Sequence, residues 1–379
     1  MGIPFGVPYI DDADRAAVAE ALTGNWILNG PKVRAFEERF GAYLGGRSCA
    51  AVNSCTAGMH AALFAVGVRA GDEVIMPALS FAANGAPVVG LNARPVFVDV
   101  CPGTWNINPE QLEQARTPKT KAILLVHYAG LAADMDPILE WAERHGVAVV
   151  EDAAHALGSL CHGRLVGSFG HVTVFSFGPL KHITTAGMGG MVVASPERIA
   201  AVRRFSSYGM DKSMWDRKDE RKSWQYGVAE PGLNYRMTDA AAAMGCTQMD
   251  KLDFILAERR KLSAAYTEIL EKVPGVSPQA RPDGFENSHV YYAATIDAEV
   301  HPRNRDAVAG ALTAAGIGSS VHWDPPLHLH ALYRKFGYTE GDFPVTEKLA
   351  LELLSLPLFV GMTLEQVRAV CAAAGWVHE

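Results

Sequence analysis

"KAILLVHYAGLAADMDPILEWAERHGVAVVED", residues 121–152, reads as a strand, a helix and a second strand. KAILLVH and VAVVED are short apolar runs rich in valine and isoleucine, bounded by polar residues. Near-continuous apolar strands are buried on both faces, as strands in the middle of a parallel sheet are. Between them DMDPILEWAERHG carries an amphipathic helical pattern. A strand, a crossover helix and a parallel strand join with right-handed chirality. The same alternation extends outward, through SCAAVNS, DEVIMP and RPVFVDV upstream, VTVFSF downstream, and the helical stretch TAGMHAALFAVGV. Residues 48 to 177 therefore form an α/β domain, a mainly parallel sheet flanked by helices. Ligands of such sheets bind beyond the carboxyl ends of the strands, so chemistry is sought there.

On either side the pattern changes. PKVRAFEERFGAYL starts with Pro31 in a first helical turn and repeats Val33, Phe36, Phe40 and Leu44 on one helix face. MTDAAAAMGCTQMDKLDFILAERRKLSAAYTEILEKV reads as a long helical stretch, interrupted near Gly245 and able to link two domains. From about residue 285, HVYYAATI gives a strand, and NRDAVAGALTAAGIG and TLEQVRAVCAAAGWV give helices. The expected organisation is an N-terminal segment and large domain over residues 1–245. A linking helix and small α+β C-terminal domain follow over residues 246–379.

The totals exclude several classes of function. A net charge of -7 over 379 residues argues against a nucleic-acid or anionic-membrane surface, since both need clustered positive charge. The run ERRK at 258–261 reads as a solvated helix face. The N-terminus lacks the pattern of a signal peptide, and no apolar run approaches the roughly 20 residues of a membrane span. Six cysteines without CxxC pairing read as reduced thiols of a cytoplasmic protein. Thirteen histidines show no HExxH pattern, and His328 with His330 is too little for a metal site; none is expected.

Three features fall at carboxyl ends of the expected strands. In NSCTAGMHAAL, Ser54, Thr56 and the amides from Ala57 onward face the positive end of a helix, a site for an anion. In VVEDAAHALGS, Glu151 and Asp152 directly follow a buried strand, with His155 one turn on. In VFSFGPLKHITTAGMGG, Ser176 ends a strand, and Lys181 stands before a turn with glycines at 187, 189 and 190. Each has an ordinary alternative: a helix cap at Thr56 or Asp152, a surface lysine at a strand end. Together they specify one chemistry. Pyridoxal phosphate needs an amine for a Schiff base, a carboxylate that keeps its ring nitrogen protonated, and a helix terminus for its phosphate. A freed lysine amine also moves a proton between substrate and cofactor carbons.

These motifs carry a family resemblance that runs nearly end to end. GNWILNGPKVRAFEERF, NSCTAGMHAAL, VHYAGLAADMDPI, VEDAAHALGS, FSFGPLKHITT, GLNYRMTDAAAAM and LSLPLF occur in the order of the DegT/DnrJ/EryC1/StrS nucleotide-sugar aminotransferases, which are fold type I pyridoxal-phosphate enzymes. TAGMH, HYAG and DAAHA are most similar to members that aminate C4 of a sugar. The resemblance implies Lys181 as the Schiff-base lysine and Asp152 as the ring-nitrogen partner. It places His155 beside the phenolic oxygen, Phe81 on the cofactor ring, and Thr56, Ala57 and Ser176 on the phosphate. Asn234, in GLNYR, would reach the phosphate from a neighbouring subunit, which implies a homodimer with shared active sites. Trp26, Arg236, His322 and Trp323 are candidates for the sugar or diphosphate pocket, each with an alternative as packing or a surface ion pair.

The implied reaction moves an amino group from L-glutamate to the keto carbon of a nucleotide-linked sugar. C3-sugar and aminocyclitol aminotransferases share every cofactor residue. A dehydratase branch has histidine in place of the lysine, but counting along FSFGPLK from Ser176 puts Lys181, not His182, at that position. A non-catalytic regulator of the same fold is the reading from another class, and this chain lacks nothing needed for catalysis. One departure is visible. After the lysine many relatives carry a glycine-acid-glycine turn, whereas this chain has Ala186, Gly187, Met188, Gly189 and Gly190, one residue longer and without the acid.

Overall fold

The computed structural model describes residues 2–377. Its strands, in chain order, are β1 (Ser48–Val52), β2 (Glu73–Pro77), β3 (Arg94–Val98), β4 (Thr120–Val126), β5 (Ala148–Asp152), β6 (Leu160–Cys161), β7 (Arg164–Leu165), β8 (Val172–Ser176), β9 (Gly190–Ala194), β10 (Val276–Pro278), β11 (Phe285–Glu286), β12 (Tyr292–Ile296) and β13 (Leu353–Leu356). The main sheet has seven strands in the order β1-β9-β8-β5-β4-β2-β3. The pairs along β8-β5-β4-β2-β3 are parallel, and β9 runs antiparallel to both its neighbours. The six strands expected from the sequence are all present. GMVVA, the antiparallel β9, was not among them; it begins directly after a glycine-rich turn that masks its start.

Strand alternation splits the apolar side chains between the two faces of this sheet. Ile75, Ile123, Val149 and Phe175 join one core with Phe36 and Phe40, from the helix Pro31–Tyr43. Val74, Leu124, Val150 and Val174 join the other, against Met59 and Leu63 of the helix Cys55–Ala65. Burial on both faces explains the unbroken apolar strands.

The long helical stretch is two helices, Asp239–Met249 and Leu252–Leu270. The break falls at Asp250–Lys251, not at Gly245. Gly245 lies inside the first helix because a Cβ there would come 2.7 Å from the Phe36 ring; its smallness lets the ring pack. The second helix serves two cores: Leu252, Ile255 and Leu256 belong to the large one, Leu262, Tyr266 and Leu270 to the small one. The cores thus meet along one helix, beyond residue 245. The small domain is the sheet β10-β12-β13 covered by helices that include Arg305–Ala314 and Leu364–Ala373. The chain's start also belongs there. Ile3 bridges Ile317 and sits in the small-domain core, so this part of residues 1–245 packs away from the large domain.

ERRK is solvated in part: Lys261 is exposed and Glu258 and Arg260 are half-buried, but one residue turns inward. Arg259 is 4% exposed, because the helix turns it toward the junction of the two domains.

Candidate active site

Asp152 closes β5, between Val126 of β4 and Val174 of β8. Alternation separates the two acids of VVED. Glu151 turns to a buried structural network, accepting from Thr173 Oγ1 at 2.8 Å and lying 3.1 Å from His127 Nε2. His127 Nδ1 accepts from the Ala133 amide, so its proton is on Nε2 and points at Glu151. Asp152, 6% exposed, turns to the carboxyl edge. Its Oδ2 accepts from Asn84 Nδ2 at 2.7 Å and its Oδ1 from the Ala154 amide at 2.9 Å. The Cys55 thiol lies 3.9 Å from Oδ1 and stays protonated, because burial and then the Asp152 charge push it up well above the ordinary range.

Lys181 follows β8 across the turn Gly178–Pro179, its amide bonded to the Gly178 carbonyl at 3.1 Å. The side chain keeps a little solvent contact but sits in a crowded cleft. Among the described residues its amine has no hydrogen-bond or ion-pair partner. Burial lowers its pKa, the Asp152 charge opposes that, and Arg259 adds to it. An amine with a depressed pKa is more often unprotonated and so a readier nucleophile and base.

The anion site forms where β1 ends. Ser54 caps the helix Cys55–Ala65 by accepting from the Ala57 amide at 3.1 Å. That engages the Ala57 amide, and the Cys55 and Thr56 amides are left without an acceptor among the described residues. Gly190 lies beneath this turn, paired with Val52 on one side and Ser176 on the other. A Cβ at Gly190 would approach the Cys55 nitrogen to 2.9 Å, so only glycine lets the turn sit against the strand. The turn, Ser176 and Lys181 therefore share one rim.

Phe81, 54% exposed, precedes the helix Ala82–Gly90, which also carries Asn84. Trp323 comes from the small domain and lies between two of these groups, 6.0 Å from Phe81 and 5.9 Å from His155, near-parallel to both. His322 stacks on Tyr291 at 4.4 Å and lines a cavity of about 70 Å³ with Lys181 and His155. Burial holds His322 down to about 4 and His155 well below its ordinary value, so both imidazoles are neutral at pH 7. His155 Nδ1 is buried without a partner.

Pyridoxal phosphate fits this set. Two free amides at a helix terminus suit a phosphate, an anionic carboxylate without a cation suits a protonated ring nitrogen, and an unpaired amine suits the aldehyde. The orphaned His155 nitrogen adds one unmet polar group on the same wall.

Three sequence candidates make other contacts within the protomer. Trp26 packs edge-on against Trp215 at 4.8 Å and donates to the Leu28 carbonyl. Arg236 donates from Nε to Asn234 Oδ1 at 2.9 Å and lines a separate cavity of about 280 Å³ with Arg34 and Arg203. Asn234 is exposed, with its carbonyl accepting from Asn53 Nδ2, beside the anion turn. Sequence reading missed Asn84 and Arg259. The signals were a polar residue one turn into an apolar helix and an arginine in register with buried leucines.

Sheet, anion turn, lysine and carboxylate define a fold type I pyridoxal-phosphate enzyme. The chain belongs to the DegT/DnrJ/EryC1/StrS aminotransferase family, whose model matches residues 8–374. It is a pyridoxal-phosphate-dependent sugar aminotransferase. It is 38% identical over 374 residues to the spore coat polysaccharide biosynthesis protein SpsC of Bacillus subtilis strain 168, covering 98% of this chain and 96% of that one. The structure of S. venezuelae DesV in complex with a ketimine intermediate superposes with a TM-score of 0.90 at 30% identity, covering 100% of this chain and 99% of DesV. DesI in the presence of its TDP-sugar product gives 0.87 at 33% identity, covering 99% and 94%. No described helix is long and apolar enough to cross a membrane.

Proposed function

We propose that this enzyme transfers the amino group of L-glutamate to the C4 keto carbon of a nucleotide-linked sugar. The observation that carries the reading is the unpaired amine of Lys181 in the same cleft as the buried Asp152 carboxylate. The TDP-sugar product of DesI supports a nucleotide-linked acceptor, and the motifs TAGMH, HYAG and DAAHA support C4.

Bound pyridoxal phosphate supplies the electron sink that lets the amino carbon release its proton. The protein's part is positional and electrostatic. The Cys55 and Thr56 amides, with Ser176, would hold the phosphate against the helix terminus. Asp152, fixed by Asn84, would keep a proton on the ring nitrogen. Lys181 Nζ would hold the cofactor and, once freed, would serve as the base that moves the proton of the donor's amino carbon. Phe81 and Trp323 would flank the ring, and neutral His155 would offer a hydrogen bond at the phenolic oxygen.

The working unit in this reading is a cytoplasmic homodimer in which Asn234 serves the phosphate of the neighbouring subunit. Trp26 and Arg236 would then line that subunit's sugar pocket, together with its His322 and Trp323. Met188 (63% exposed) and Trp224 (70%), with Leu180, Tyr208, Tyr226 and Leu233, are exposed apolar side chains that a second copy would cover. All six cysteines are free thiols, which suits a reducing compartment.

The test is a screen of keto-sugar nucleotides with L-glutamate, read by mass spectrometry, with Lys181→Ala as control. A 4-amino sugar nucleotide formed only by the wild-type enzyme is expected. Amination at C3 alone, or product formation by Lys181→Ala, would overturn the reading.

A further inference from the structure

Cys161 and His162 close a hairpin beside the start of a helix. β6 and β7 pair Cys161 with Arg164, so His162 and Gly163 form a two-residue turn, with left-handed φ values of 49° and 73°. Asp134 stands at the N-cap of the helix Met135–His145. An aspartate in that place ordinarily accepts from an amide of the first turn, but this side chain makes no such bond. Its Oδ1 lies 3.7 Å from His162 Nε2 instead, too long for a hydrogen bond. The Cys161 thiol is 1% exposed and donates to no group among the described residues.

One carboxylate oxygen, one thiol sulfur and one imidazole nitrogen thus lie within 4.8 Å of one another. Zinc bonds of about 2.0–2.3 Å put tetrahedral ligand atoms roughly 3.5 Å apart, so a contraction of about 1 Å closes the set. The His162 ring is braced edge-on against Phe285 at 4.8 Å. A Cβ at Gly284 would come 3.0 Å from its Nδ1, which leaves Nε2 as the nitrogen that faces Asp134. Burial raises the Cys161 pKa, whereas the Met135 amide favours the anion. A bound cation tips that balance, since a coordinating thiol gives up its proton. Thiolate and imidazole donors suit zinc, not magnesium or calcium, which take oxygen ligands.

We propose that Asp134, Cys161 and His162 bind a zinc ion, with water in the fourth position. The ion clips the β6–β7 hairpin to the helix Met135–His145. β6 also pairs with β11, so the clip fastens the stretch between β10 and β12 to the large domain. Sequence spacing led to the expectation of no metal, because the ligands come from two separate elements that only the fold brings together.

The test titrates chelator-treated holoenzyme with zinc against a chromophoric chelator, and in parallel with cobalt. The wild type should take up one zinc per chain with a Kd of about 1 µM or lower, and Cys161→Ser and His162→Asn should each weaken it about a hundredfold. His162→Asn turns the hairpin into Asn-Gly, the sequence such a turn prefers, so the backbone keeps its shape. The cobalt difference spectrum should show tetrahedral ligation with a sulfur-to-metal charge-transfer band that Cys161→Ser abolishes. Should Cys161→Ser fail to fold, His162→Asn and the wild-type cobalt spectrum decide. A wild-type Kd above about 100 µM, a loss below about tenfold in a folded variant, or a cobalt spectrum without sulfur ligation would mean an adventitious ion only and overturn the proposal.

Discussion

Asp152→Asn separates the electronic role of this carboxylate from its structural one. Two donors face the side chain, Asn84 Nδ2 at 2.7 Å and the Ala154 amide at 2.9 Å. An asparagine oxygen can keep the Ala154 bond while its NH2 turns to Asn84. Asn84 Oδ1 is buried and has no partner, so a flipped carboxamide there would accept the new donor. The fold then loses the strength of one charge-assisted hydrogen bond, about 1–2 kcal/mol, and a melting shift of a few degrees is expected. Catalysis loses much more. A neutral amide cannot hold a proton on the ring nitrogen, and rate losses of about 10²–10⁴, roughly 3–5 kcal/mol, follow from removing a positioned proton partner. Stopped-flow measurement of the glutamate half-reaction, with cofactor occupancy read from visible absorbance, gives both quantities. A rate within tenfold of wild type, about 1.4 kcal/mol, would refute the reasoning and leave Asp152 as a partner of Asn84 and Ala154 only.

Three further outcomes follow from the geometry. Asn234→Ala and Lys181→Ala chains, each impaired alone, should regain up to one native site per dimer when co-refolded; confirmed heterodimers no more active than the summed homodimers would place Asn234 in its own chain's site. Ala186 holds a left-handed φ of 59°, which costs a Cβ-bearing residue about 1–2 kcal/mol, so Ala186→Gly should keep stability within about 1 kcal/mol of wild type or raise it in urea denaturation, and a clear loss would show that the alanine methyl packs usefully. His322 binds its proton at about 4 in the folded protein and near 6.5 when unfolded, so the unfolded state holds more protons between those values and stability falls as pH drops from 6.5 to 4. The shift of about 2.5 units corresponds to roughly 3 kcal/mol. His322→Asn should reduce, without abolishing, the slope there, since buried His155, His182 and His289 are shifted the same way, and an unchanged slope would contradict the buried, neutral imidazole.

The sheet was legible because its strands are buried on both faces and leave unbroken apolar runs, as at KAILLVH and VAVVED. Lys181, Asp152 and the turn at Ser54 were legible because each directly follows such a run. Arg259 was hidden, because a charged run on a helix reads as solvated and only the second domain's arrival buries it. The Ala57 amide, expected on a phosphate, donates to the Ser54 hydroxyl here; a local cap and a ligand site look alike in sequence. Gly245 misled in the same way, since a glycine that admits the Phe36 ring is indistinguishable from one that ends a helix. Tertiary contact decides each of these cases, and a short window of sequence does not contain it.

The place of β1 in the sheet has a consequence for the order of assembly. This strand lies at the sheet edge, paired along its length with β9 and bridged at Val52 to Arg236, so residues 48–52 wait for residues 190–194 and 236 before they are anchored. Until then a nascent chain has its interior parallel strands but no fixed turn at Ser54, and Lys181 hangs on a loop that nothing closes. Long-range pairings of this kind are slow to form, since loop-closure entropy is spent before the contacts return it.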